Sequence, residues 1–126
     1  MPILGVGVDA VDVERFARIL SRRPRLLDRV FEPHERTQCE NQPERLAARF
    51  AAKEAAWKAL GVGLGATGWR DVSVELEESG APGLRVVGRA EQRARDLGVT
   101  HWHVSLTHTH STAVAVVIAE VVPSAR

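Results

Sequence analysis

Polarity alternates near the start of the chain. Leu4, Val6 and Val8 fall on one face of an extended segment and Gly5, Gly7 and Asp9 on the other, the two-residue period of a β-strand. The two glycines leave the second face open to the close approach of another group. Past Asp12, a residue suited to capping a helix, the period lengthens. Val13, Phe16 and Leu20 then share one apolar face, while Arg15, Arg18 and Arg22 gather on another side. Residues 26–33 read as a connecting segment and Pro33 to Cys39 as a helical turn. A long helix is predicted from Pro43 to a stop at Gly61. Val72, Val74 and Leu76 alternate as a second strand, and the turn Ser79 to Gly83 leads into a third at Leu84 to Val87. Arg89 to Leu97 forms a helix closed by Gly98. Trp102, Val104 and Leu106 then alternate with His101, His103, Ser105 and Thr107, before an apolar strand from Ala113 to Val122. This order predicts an α+β fold with helices packed on a mainly antiparallel sheet.

The long helix carries a conflict between burial and charge. On a helical wheel Leu46, Phe50, Trp57 and Leu60 form one stripe, and Ala48, Ala52, Ala55 and Ala59 lie opposite. One face calls for a core and the other permits close approach of a neighbour. Lys53 falls inside the large apolar stripe, with Glu54 and Lys58 one turn apart at its edge. One account is a Glu54–Lys58 salt bridge, with Lys53 snorkelling its amine to water. The other makes Glu54 a metal ligand and brings the lysines to phosphate.

Composition narrows the options. A chain of 126 residues is the size of one domain, so a single domain spanning 1–126 is expected. With 17 basic and 16 acidic side chains no global field argues for nucleic acid as a partner. Cys39 is the single cysteine, which rules out a disulfide framework or a thiolate cluster and fits a reducing compartment. The first residues lack the pattern of a secretory leader, and no apolar run approaches the roughly 20 residues of a membrane span. A soluble, cytoplasmic protein with no membrane partner is expected.

Three clusters carry candidate chemistry. Asp9 ends a strand and offers a carboxylate to pair with Glu54. Two carboxylates without cysteine suit a hard, oxygen-loving cation such as Mg²⁺. The glycine-rich "GVGLGATG" at 61–68 follows a helix and lacks the Gly-Lys-Ser/Thr of a phosphate loop, so that motif is rejected. His101 and His103 share one strand face, which with His108 raises a zinc hydrolase as an alternative, although the spacing lacks the further aspartate and histidine of such sites. His108, near Ser105 and Thr107, can act as acid, base or phosphate donor.

Three segments in order, "GVGVDAVDVERF" (5–16), "RFAAKEAAWKALG" (49–61) and "HVSLTHTHSTAVAVVIAE" (103–120), resemble the holo-acyl-carrier-protein synthase family of 4′-phosphopantetheinyl transferases. The resemblance implies that family's fold and transfer of phosphopantetheine from coenzyme A to a serine of an apo acyl carrier protein, with Mg²⁺, releasing adenosine 3′,5′-bisphosphate. It implies Asp9 and Glu54 as metal ligands and Lys58 as a stabiliser of phosphate charge. It also implies that Arg49, Gly61, Gly63, Ser105, Thr107 and His108 line the coenzyme A site. The proton acceptor stays open between Glu54, a metal-bound water and His108. Arg15, Arg22 and Arg25 are implied as the basic patch that meets the acidic carrier, with a solvated helix face the simpler account of Arg18. A homotrimer is implied too, with Asp9 and Glu54 of one copy facing the "VSLTH" strand of the next.

Overall fold

The computed structural model describes residues 2–63 and 65–124. Strand β1 (Ile3–Asp12) leads into helix α1 (Val13–Arg22), two short helices α2 (Leu26–Val30) and α3 (Pro33–Cys39), and the long α4 (Pro43–Ala59). A 3₁₀ turn at Trp69–Asp71 precedes β2 (Val72–Leu76) and β3 (Pro82–Val86); α5 (Gly88–Leu97), β4 (His101–His108) and β5 (Thr112–Glu120) follow. Among the described residues all strand pairing is antiparallel, in two sheets: β1-β5-β4 and the β2-β3 hairpin. The α+β architecture expected from the sequence is the one observed.

Local signals place most elements. The Asp12 carboxylate accepts the backbone N–H of Arg15 at 2.9 Å and starts α1. The stretch 26–33, expected as a connection, instead coils into α2, because Leu26, Leu27 and Val30 turn onto the cluster around Phe16, Phe31 and Leu46. Helix α3 is longer than a turn. Glu32 and Glu35 form a reciprocal capping box at its start, and Glu40 takes the left-handed conformation at its end (φ 52°).

Helix α4 is the hub. Its small residues Ala52, Ala55 and Ala59 lie in the core with Ala115, Val117 and Ala119 of β5, while Leu46 and Trp57 reach two separate apolar clusters. Trp69 lies between Phe50 and Trp57, with ring centroids 5.1 and 4.5 Å away, and Phe16 extends the series at 5.1 Å from Phe50. Lys53 neither snorkels nor faces a ligand. It is fully buried, donating to Glu35 Oε1 at 2.8 Å and to the Val72 carbonyl at 2.5 Å. Glu35, also fully buried, takes the Val74 N–H at 3.0 Å and the Glu32 N–H at 3.0 Å. The pair therefore ties α3, α4 and β2 together through satisfied hydrogen bonds, which is the condition for keeping charges inside.

The open face of β1 is filled by the protein itself. A methyl group added at Gly7 would collide with the Ala55 carbonyl, and one added at Gly5 with the Ala59 carbonyl. The glycine face thus admits the backbone of α4 and not a ligand. Its apolar counterpart points outward, leaving Val6 58% and Val8 54% exposed. Replacement of Gly7 by alanine must lift α4 from β1, and we expect a loss of at least about 3 kcal/mol, the upper range of overpacking costs. Urea denaturation of G7A against wild type measures it, and an unchanged midpoint would contradict the close-contact geometry.

Candidate active site

Antiparallel alignment of α4 over β1 sets the carboxylates. With Gly7 seated under Ala55, the next inward position of β1 is Asp9 and the next side chain on the rim of α4 is Glu54. Both line one open cleft of about 490 Å³, together with Asp12, Arg15, Phe16, Ile19 and Phe50. Lys58 reaches the same point from one turn further along, donating to Asp9 Oδ1 at 2.9 Å and to the Val8 carbonyl at 3.1 Å. Its ion pair is thus with Asp9, and the helical Glu54–Lys58 bridge weighed from spacing is not formed among the described salt bridges.

The electrostatics follow from that crowding. Partial burial pushes the Glu54 carboxyl up to about 7, and the neighbouring Asp9, close enough to share a hydrogen bond, adds to the shift; Lys58 opposes it. Lys58 is raised in turn, first by its hydrogen bond to Asp9 and then by that carboxylate's charge. Asp9 is thereby the shared partner of one acid and one cation.

The remaining candidates divide into separate groups. His108 and the buried Arg49 line a second cleft of about 340 Å³ with Arg45, Cys39, Leu76 and Pro82. Arg49 is anchored there by donating to the Val74 carbonyl at 2.9 Å. Ser105 and Thr107 are on the other side of the sheet, because His108 pairs with inward Ala113 whereas Ser105 and Thr107 pair with Val116 and Val114. Within one chain, then, Ser105 and Thr107 cannot share a cleft with His108, and none of the three enters the cleft of Asp9 and Glu54. Gly61 is in the left-handed region (φ 71°), and nothing lies within 4 Å of the place a side chain would take at Gly63.

The same alternation dissolves the zinc alternative. His101 and His103 face outward and His108 inward; His103 is bound to Glu120 at 2.9 Å and His101 to Thr100 at 2.8 Å. Of the arginines assigned to a carrier, Arg15 lines the carboxylate cleft, while Arg22 and Arg25 line a shallow groove with Arg23, Pro24, Leu26 and Arg29. Arg18 is paired with Glu14 at 3.1 Å on the helix surface. Sequence pattern did not single out Arg45, an exposed arginine in a polar stretch, or Glu35. A capping box at 32–35 was the one available signal for Glu35, and it points to a helix start, not to a partner for Lys53.

Comparison with known proteins adds an independent line. The family model described as the 4′-phosphopantetheinyl transferase superfamily matches residues 5–117. The chain is similar to the holo-[acyl-carrier-protein] synthase of Frankia alni, at 50% identity covering 95% of this chain and 99% of that protein. Its fold is similar to that of the Mycobacterium tuberculosis acyl carrier protein synthase, with TM-score 0.72, 35% identity and coverage of 94% of this chain and 98% of that one. It is similar also to the Helicobacter pylori holo-[acyl-carrier-protein] synthase solved in complex with coenzyme A, with TM-score 0.81, 27% identity and coverage of 90% and 98%.

The Glu54 shift has a measurable sign. Its folded value of about 7 stands above the 4.5 of an unperturbed glutamate. Between those values the folded chain holds a proton that the unfolded chain releases. This group's contribution is therefore full below the lower value and lost as pH rises through the upper one. The melting temperature of metal-free wild type should fall relative to Glu54→Gln between pH 5 and pH 8. Parallel melting curves for the two proteins across that range would overturn the assignment.

Proposed function

The chain belongs to the 4′-phosphopantetheinyl transferase superfamily, and from that premise we propose that it is a holo-acyl-carrier-protein synthase. It transfers phosphopantetheine from coenzyme A to a serine of an apo acyl carrier protein and releases adenosine 3′,5′-bisphosphate. The observation that carries this reading is the meeting of Asp9, Glu54 and Lys58 at one cleft, where two carboxylates and an ammonium crowd together. In the reaction the serine oxygen bonds to the phosphorus of the phosphopantetheinyl group as the bridging P–O bond to the nucleotide breaks. The serine proton must leave, and the nucleotide phosphate gains negative charge.

The residues divide those tasks. Lys58, held by Asp9, supplies positive charge to the phosphates. Glu54, which lines the cleft beside Asp9, is the candidate to take the serine proton, directly or through a metal-bound water. His108 is the competing acceptor, and it can act only from another copy, since its own chain places it in a different cleft. The Asp9–Glu54 pair fits Mg²⁺: the donors are all oxygen, and the crowding that holds a proton on Glu54 is what a cation would relieve. When bound, the ion would neutralise pyrophosphate charge. Arg49, Arg45 and His108 offer cationic or donor groups for the nucleotide phosphates, with Gly61 and Gly63 leaving backbone accessible and Ser105 and Thr107 completing the contacts from the outer sheet face.

The division of these groups between clefts and sheet faces supports a homotrimer with composite sites. The outer face exposes Val6 and Val8 beside the half-buried Val114, Val116 and Ile118, an apolar surface of the kind that assembly covers. Arg15, Arg22 and Arg25 are proposed to meet the acidic carrier, since charge complementarity steers such encounters. No helix among the described residues is long and apolar enough to cross a membrane.

Incubation with coenzyme A, Mg²⁺ and an apo acyl carrier protein should raise the carrier's mass by one phosphopantetheine, and Glu54→Ala should reduce the rate by at least about 100-fold. No shift with any carrier from the same cell would sink the proposal, and full activity in E54A would reduce the chain to a carrier-binding module. Val8→Asp should leave the subunit folded by circular dichroism, convert the trimer to monomer in sedimentation velocity and abolish transfer. A wild-type monomer with full activity would overturn the composite site.

A further inference from the structure

Arg93 belongs to α5 and to none of the groups assigned above. Ala90 and Ala94 bury one side of α5 against the main core. On the exposed surface of the helix Arg95 pairs with Glu91 at 2.5 Å and Gln92 with Asp96 at 3.0 Å. Arg93 behaves differently. Among the described residues it forms no ion pair, and its Nε donates instead to the Leu60 carbonyl at 3.2 Å. Its Nη2 lies 3.8 Å from the position a Cβ would occupy at Gly61.

That carbonyl has a particular place. Leu60 is the C-cap of α4, so its oxygen lies beyond the N–H groups the helix can offer. The helix leaves through a tight turn: Gly61 N–H donates to the Lys58 carbonyl at 3.0 Å and Val62 N–H to the Trp57 carbonyl at 3.0 Å, with Gly61 left-handed. A guanidinium here caps the exit and opposes the negative end of the helix dipole. From this one turn Lys58 extends to Asp9 in one direction and the chain departs through Gly61 and Gly63 in the other. The far end of the loop has its own tether, Trp57 Nε1 donating to Thr67 Oγ1 at 2.7 Å. Between the tethers nothing lies within 4 Å of a would-be side chain at Gly63 or Gly65, and the Ala66 N–H donates to the Gly63 carbonyl at 3.2 Å.

We propose that Arg93 is a positioning residue for coenzyme A: by capping Leu60 it holds the exit of α4 so that Lys58 and the backbone at 61–63 face the same phosphates. The inference rests on the reading that these residues line the coenzyme A site. It specifies that Arg93 acts on one substrate alone. The basic patch proposed to meet the carrier, Arg15 and Arg22 on α1 with Arg25 just before α2, is on elements with which Arg93 forms no hydrogen bond or ion pair among the described residues.

Steady-state kinetics with each substrate varied in turn, on wild type, R93A, R93Q and R93K, test this. R93A should raise KM for coenzyme A at least about fivefold and weaken coenzyme A binding in calorimetry to match. KM for the carrier and the melting profile should stay near wild type. R93K, which can still donate to the Leu60 carbonyl, should recover most of the loss. Should R93A fail to fold, R93Q against R93K makes the same comparison, since glutamine keeps a donor on a shorter reach without charge. An unchanged KM for coenzyme A, an equal rise in both KM values, or R93K no better than the uncharged variants would each overturn the role. Wild type that neither binds coenzyme A nor modifies a carrier would sink the proposed function itself, whereas an active wild type with an unaffected R93A sinks this inference alone.

Discussion

The contact between α4 and β1 is the constraint on which the rest of the molecule depends. A helix normally stands off a sheet by the depth of two layers of side chains. Here Gly5 and Gly7 remove one layer and the alanines of α4 thin the other, so backbone meets backbone. Because both partners are rigid and directly touching, their alignment has little freedom. That rigidity places Asp9 against Glu54 and within reach of Lys58, and it generates the electrostatic strain that a cation and a phosphate would relieve. The glycines act on the chemistry indirectly, through the helix they admit.

The adjacent residues Lys53 and Glu54 show how the same helix serves stability and chemistry. One hundred degrees of rotation separates them. Lys53 consequently points into the protein, where Glu35 and the Val72 carbonyl satisfy it, while Glu54 reaches the cleft. Burial acts on both in the direction that disfavours charge: it lowers Lys53, with Glu35 opposing, and raises Glu54, with Asp9 reinforcing. An opposite charge beside Lys53 and a like charge beside Glu54 separate a structural ion pair from a group poised near neutrality. The Lys53 pair also ties α3 and β2 to α4, and through Val74 it shares an anchor with Arg49.

Strand alternation distributes the remaining groups. In β4 the inward residues Trp102, Val104 and Leu106 pack on the core, so His103, Ser105 and Thr107 must face outward. The polar residues closest together in sequence are thereby parted, Ser105 and Thr107 on one face and His108 on the other. An outer face that mixes these polar groups with Val6, Val8 and Val116 suits assembly between copies, which is how separated half-sites could be joined.

Much of this was legible in the sequence. Period-two and helical spacing located β1, α1, α4, the hairpin, α5 and the last two strands, and Asp12, Gly61 and Gly98 marked boundaries through their own local geometry. Asp9, Glu54 and Lys58 were singled out together by the resemblance of three motifs to a known family, whereas spacing alone left an ordinary salt bridge as the simpler account. Partnership was not legible. Spacing along α4 favoured Glu54 for Lys58, yet the lysine chose Asp9, 49 positions away. Lys53 looked misplaced in an apolar stripe until Glu35, 18 residues earlier, arrived to meet it. The glycine face of β1 read as open to the close approach of another group, and only the fold identifies that group as the backbone of α4. The chain's local periodicities are set by backbone geometry and can be read residue by residue. Which charge meets which, and which opening stays open, depends on long-range packing, and only the tertiary structure decided those.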